Sequence, residues 1–346
     1  MKTKIHRIRF NSFVWCSILG ISLLCGCIAR SEKDVVVYSA LDEEFASPIL
    51  DAFQRSVEGK TRVLPKFDIE STKTVGLANL IIDQSNSPVC DVFWNNEILH
   101  TVRLQKAGLL EPRRWEIPPG HPPDLRAADG TWFGFAARAR VLIVNTDLVK
   151  PGDFPKSVED LASPKWKDQC AIARPLFGTT ATHFAVLRDI QGEGETLNLL
   201  KQIRSNARVL SGNKQVALSV SAGSIAWGLT DTDDAFIEKD SGYPVEIIFP
   251  DQSPTGLGTL RIPNTIAVIR GAPHPVAAGQ LADFLIRPET EDRLAMGNSS
   301  QMPLSSAAKF PPPVLPKEKV RWMRADLEAA AEGWPEWAKK LEEMFP

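Results

Sequence analysis

Residues 228–235 read GLTDTDDA, and they follow the apolar run SIAWGL, which has the character of a buried strand. Asp231, Asp233 and Asp234 put three carboxylates into four positions at that strand's exit. Like charges this close repel, and hard cations are the groups that take carboxylate oxygens. A helix cap is the alternative, because Thr or Asp before DDAFIEK would cap a helix and acids favour its first turn. A cap accounts for one or two of the aspartates. A cation or a cationic ligand accounts for all three.

A second set of residues favours anions. In PLFGTTATH, Gly178, Thr179, Thr180 and Thr182 lie between a strand and a helix. Free backbone N–H groups and hydroxyls at such a start attract negative charge, although threonine is also an ordinary cap. Arg138 and Arg140 in GFAARARV stand at i and i+2. One should face a cleft while the other pairs elsewhere. Arginine suits bidentate carboxylate, carbonate or phosphate recognition. Asn95, Asn96 and Glu97 close DVFWNNE and read as a cap or as ligands. Trp94 and Trp227 read as core, His100 and His183 as satisfied structural histidines, and His274 as a loop residue. No Ser-His-Asp order, nucleophile elbow or HExxH pattern occurs, so the chain does not read as an enzyme.

These residues need a scaffold, and the apolar periodicity supplies one. DVVVYSA (34–40), 61–69 and CDVFWNN (90–96) are strand-like, and helical spacing fills 44–56, 74–86 and 98–110 between them. A second alternating block runs from 170 to about 250. Such alternation means sheets covered by helices on both faces, with ligands outside the strands' carboxyl ends. The exits YSALDEE, DIESTKT and WNNE are polar, as a cleft requires. Extended segments at 135–145 and 258–268 join the blocks as a two-strand hinge, so two lobes can close on each other. The 346 residues, 43% hydrophobic and 24% charged, suffice for sizeable cores. A net charge of -2 argues against a nucleic-acid partner.

The N-terminus reads as an address. Lys2, Lys4, Arg7 and Arg9 precede a short apolar stretch, the pattern of a secretory leader over residues 1–26. Leu24-Cys25-Gly26-Cys27 resembles a bacterial lipobox, which predicts export and a lipid anchor on Cys27 at a periplasmic membrane face or the cell surface. Cys90 and Cys170 begin strands in different lobes, so both are expected to be free, buried thiols.

Taken in order, VVVYSALDEEFASPILDAF, DVFWNNE, GFAARARVLIVNT, LASPKWKDQCAIARPLFGTTATH, GLTDTDDA and GLGTLRIPNTIAVIRGAPHP resemble substrate-binding proteins of bacterial ABC importers, in the cluster that includes the ferric-ion binders. The likeness covers about 34–310. It implies an α/β, two-lobed periplasmic-binding-protein type II fold with mixed sheets: lobe 1 at 27–137 plus 264–305, lobe 2 at 138–263, and a C-terminal helical segment at 306–346 packing on the lobes. It also implies a monomer that captures Fe3+ with a carbonate or phosphate as synergistic anion and delivers it to a membrane permease and its ATPase. The family's tandem tyrosines fall on Asp233 and Asp234, its first-lobe ligands on Asp42, Asn96 and Glu97, and its anion site on Arg138 or Arg140 with Gly178 to Thr182. The chain's two tyrosines, Tyr38 and Tyr243, lie elsewhere. A polyamine-, phosphonate- or carboxylate-like solute is the alternative cargo; a sensory or hydrolytic domain is the alternative class.

Overall fold

The computed structural model describes residues 34–68 and 74–346; the leader, Cys27 and positions 69–73 lie outside the described residues. β1 (Asp34–Ser39), α1 (Glu43–Ser56), β2 (Arg62–Phe67), α2 (Val75–Asp83), β3 (Val92–Asn95) and α3 (Leu99–Lys106) form the first alternating block. After the proline-rich loop comes the long β4 (Phe133–Asn145). The second block is β5 (Cys170–Ala173), α4 (Gly178–Gln191), α5 (Glu193–Asn206), β6 (Arg208–Leu210), α6 (Asn213–Ser221), β7 (Trp227–Asp231), α7 (Thr232–Asp240) and β8 (Val245–Ile248). β9 (Arg261–Val268) then returns to the first block, followed by α8 (Pro275–Leu285), α9 (Pro288–Met296), α10 (Leu327–Glu332) and α11 (Trp334–Met344).

The described strands form one mixed sheet in the order β2-β1-β3-β9-β4-β7-β5-β6, with β8 also on β4. β1 pairs in parallel with β2 and β3, and β5 with β6 and β7. β4 runs antiparallel to its partners and belongs to both halves. Its first part pairs β9, and its second part pairs β7 and β8. β4 thus runs through both halves of the sheet, and in the segment leading into β9 Leu260 accepts from the Arg140 amide.

The strands are apolar on both faces because helices cover both. Val35 and Val37 pack with α1, α8 and α9, while Val36 and Tyr38 pack in the other layer with α2 and α3. That second layer continues without a break through β5, β7 and the C-terminal helices. α10 packs against α3 of the first lobe and α4 of the second. There Lys106 pairs with Glu332 at 2.5 Å and Arg188 donates to the Ala330 carbonyl at 3.1 Å. Cys90 and Cys170 are free and buried. Burial pushes the Cys170 thiol up to about 12 and raises that of Cys90, so neither is a ready nucleophile.

β7 carries the acidic run, and its placement depends on Gly228. A Cβ there would lie 2.4 Å from Val216 Cγ1 on α6 and 2.9 Å from the Ala171 carbonyl oxygen on β5. Gly228→Ala must push α6 off β7 and should destabilise the fold by about 1–3 kcal/mol. A denaturation midpoint measured at unchanged slope checks it; an unshifted midpoint would mean that this packing yields without cost.

Candidate functional site

β4 and β7 are antiparallel with Arg140 directly opposite Asp231. Opposed residues project from the same face of a sheet, so register alone brings this pair together. Arg140 is fully buried, and its Nη1 meets Asp231 Oδ1 at 2.7 Å. Nη1 also donates to Thr179 Oγ1 and Asn213 Oδ1, both at 3.1 Å, and Nη2 donates to Thr180 Oγ1 at 3.0 Å. Asp231 Oδ2 accepts from Thr179 Oγ1 at 2.5 Å and from Asn213 Nδ2 at 2.9 Å. Asp231 stands at the N-cap position of α7, yet its side chain caps nothing there.

Arg138, two residues earlier on β4, takes the next carboxylate. Its Nη1 lies 3.3 Å from Asp233 Oδ2, and both side chains are buried. Arg138 Nε and Nη2 have no hydrogen-bond partner among the described residues. Burial opposes the Arg138 charge, but Asp233, Asp231, Asp42 and Asp234 outweigh it and hold the guanidinium above its ordinary value. Asp234 is half-buried, and its amide donates to Asp233 Oδ1 at 3.1 Å. One ligand oxygen from each of Asp231, Asp233 and Asp234 lies within 4.8 Å of the others.

Arg138 and the three aspartates line a cavity of about 20 Å³ to which both halves of the sheet contribute. Asp42, at the N-terminus of α1, and Asn96, after β3, come from lobe 1. The Asn96 Oδ1 is buried without a hydrogen-bond partner among the described residues. Arg138, Gly178, Thr179, Asp231, Asp233 and Asp234 come from the other side. Gly178 starts α4 at φ +56°, a conformation that favours glycine, and so presents Thr179 and Thr180 to Arg140. Arg174, Phe177, Ser211, Gly212 and Asn213 also line the cavity and were not singled out from the sequence. Their signal was available: Arg174 directly follows β5, and Ser211 and Gly212 lead from β6 to Asn213 at the start of α6, so both are strand exits.

Three expectations need correction. Arg140, Thr179 and Thr180 do not stand open to an outside anion, because their hydrogen bonds are spent on Asp231, Asn213 and one another. Glu97 does not line the cavity. Its carboxylate accepts from Asn95 Nδ2 at 2.7 Å, from the Leu99 and His100 amides at the start of α3, and from Thr182 Oγ1 at 3.1 Å. Thr182 is thereby spent on a contact between the lobes. Burial still pushes the Glu97 carboxyl above the usual range, against those hydrogen bonds. His183 is buried but not satisfied: neither ring nitrogen has a partner among the described residues, and the ring stacks on Phe184. His274 does lie in the loop before α8, where it is buried and its Nδ1 meets Asp91 Oδ2 at 2.8 Å.

Burial, then the Arg140 charge, lowers the His183 pKa from 6.5 to about 3; burial, then Arg103, does the same for His100. An unfolded histidine takes up its proton near 6.5, but these two resist until about pH 3. Between those values the unfolded state binds more protons, so stability must fall as pH falls. Each histidine contributes at most about 1.4 kcal/mol per pH unit. His183→Leu should flatten the stability profile in that window by about one proton's worth. An unchanged slope in chemical denaturation would place the acid sensitivity elsewhere.

Residues 99–327 match the family model described as bacterial extracellular solute-binding protein. The Fe(3+)-binding periplasmic protein of Serratia marcescens is 26% identical over 226 residues, 64% of this chain and 65% of its own length, so the chain spans just under two thirds of that relative. The ferric binding protein from Campylobacter jejuni superposes with a TM-score of 0.79 at 22% identity, over 90% of this chain and 99% of its own. The periplasmic binding protein AfuA from Actinobacillus pleuropneumoniae, solved with fructose-6-phosphate, gives 0.79 at 20% identity, over 91% and 99%. Both likenesses carry the two-lobed fold alone. With a family match over well more than half of its length, the chain belongs to the bacterial extracellular solute-binding proteins.

Proposed function

We propose that this chain is the solute-capturing component of an ABC importer, exported and lipid-anchored through Cys27, and that its cargo is ferric iron. The observation that carries the cargo is the carboxylate cluster of Asp231, Asp233 and Asp234, facing Asp42 and Asn96 across a cavity of about 20 Å³. That volume is just above what one water needs, so the closed lobes suit a single ion rather than a sugar-sized solute. Oxygen ligands suit a hard cation. The names of the Serratia and Campylobacter proteins support the same cargo.

Capture follows from lobe closure. Asp233 and Asp234 are on lobe 2, Asp42 and Asn96 on lobe 1, so only the closed state meets the ion with both sets. A ligand shifts the equilibrium toward the state it binds better. The closed protein then docks on a permease served by an ATPase, and the chain itself performs no chemistry.

A second reading keeps the transport role and takes a small anionic organic solute. Arg138 Nε and Nη2, buried without partners among the described residues, and Arg174 on the same cavity favour it. AfuA with its sugar phosphate is a neighbour of this kind.

Calorimetric titration with ferric citrate or ferric nitrilotriacetate should give saturable, tight binding. Asp233→Ala and Asp234→Ala should each weaken it by more than the roughly 10- to 100-fold that loss of an outer partner costs a metal site. Saturable binding of fructose-6-phosphate with no response to any ferric chelate would replace iron by the organic solute. Labelled palmitate should enter the wild-type chain, and Cys27→Ala should release the protein from membranes; a Cys27→Ala protein that stays membrane-bound would remove the anchor.

A further inference from the structure

The hydrogen bonds around Arg140 form a closed circuit. Thr179 Oγ1 accepts from Arg140 and from Asn213 Nδ2 at 2.8 Å, and gives its own proton to Asp231. Thr180 Oγ1 accepts from Arg140 and gives its proton to Asn213 Oδ1 at 3.0 Å. The Asp231 carboxylate takes the remaining donors on both of its oxygens. A cationic fork, two hydroxyls, an amide and the start of a 14-residue helix are the parts of an anion receptor. Here its occupant is covalently attached to the next strand.

We propose that Asp231 is a built-in anion, and that cargo capture in this cleft needs no carbonate, phosphate or other outside anion to complete the site. The inference rests on reading the cleft as a cation site, and it names how that site is completed. Three arguments support it. The charge of Arg140 is already met at 2.7 Å, so an outside anion would have to displace a buried partner. The carboxylate is set by register, Arg140 opposite Asp231, and not by side-chain search. Asp231 also lines the cavity and shares the 4.8 Å cluster with Asp233 and Asp234, and Arg140 takes only one of the two lone pairs of its Oδ1. The unpartnered, buried Asn96 Oδ1 on the facing wall is a further oxygen donor to a cation held there.

The test separates anion from cargo. Without iron, the purified wild-type chain is titrated calorimetrically with bicarbonate, phosphate and formate. No saturable heat is expected through the millimolar range. Asp231→Ala empties the receptor and should bind formate or bicarbonate saturably at millimolar concentration. Saturable anion binding by the wild type that vanishes in Arg140→Gln would overturn the proposal, as would a folded Asp231→Ala protein that binds neither anion. The wild-type arm decides even if Asp231→Ala does not fold. With ferric nitrilotriacetate, added bicarbonate should change the wild-type affinity less than about twofold, whereas Asp231→Ala should take iron only with formate present. A tenfold or greater gain for the wild type would also overturn it. A wild type that takes no iron sinks the cation reading, and the iron-free titrations still decide on Asp231.

Discussion

A guanidinium without access to water needs a carboxylate, and Arg140 finds Asp231 across the β4–β7 ladder. Taking both charges out of water costs several kcal/mol per ion, and only good geometry with further hydrogen bonds repays it. Thr179, Thr180 and Asn213 provide those bonds from α4 and α6. One buried pair therefore ties together two strands and two helix starts. It also sets where β7 ends. α7 leaves at Thr232, and its first turn brings Asp233 beside Arg138 and Asp234 to the cavity. The three aspartates that repel one another are thus interleaved with two arginines whose positions are fixed by one strand.

Much of this was legible in the sequence. The strand and helix pattern, the polar strand exits and the choice of Asp231, Asp233, Asp234, Arg138 and Arg140 as residues worth locating all follow from period and residue type. Pairing did not follow, because it depends on which residues of β4 and β7 stand opposite each other. Asp231 consequently read as a ligand when its first partner is Arg140. Glu97 misled for a related reason: a carboxylate after a strand can turn outward to the cleft or back onto its own helix, and the amides of Leu99 and His100 hold it back. The family resemblance pointed to an anion site, and its parts are present. It could not show that the chain's own side chain fills it.

The C-terminal helices show another limit of local pattern. Their amphipathic spacing announces helices but not the surface that receives them. α10 lies against α3 and α4, Trp334 meets His100 edge-on, and Arg188 stands over Trp337. Burial, then the Arg103 charge, holds the His100 pKa down at this seam. The same contacts join α3 to α4 at a distance from β4 and the lead into β9.

The irregularity at Ala136 has a wider effect than its size suggests. Its φ of +37° accompanies a register shift between Phe135 and Ala137, and it is held by Asn264 and by Glu291, which accepts from the Ala136 amide at 2.8 Å. Before it, Phe133 and Phe135 pack with α1, α8 and α9; after it, Ala137, Ala139 and Val141 pack in the opposite layer. One extra residue has advanced the phase of the strand by half a period. Without that offset, Arg138 and Arg140 would be driven into the aliphatic layer, and three small or apolar side chains would face the aspartates. Ala136 thus acts as a frameshift in three dimensions, and the chemistry of the whole cleft is read in the frame it sets.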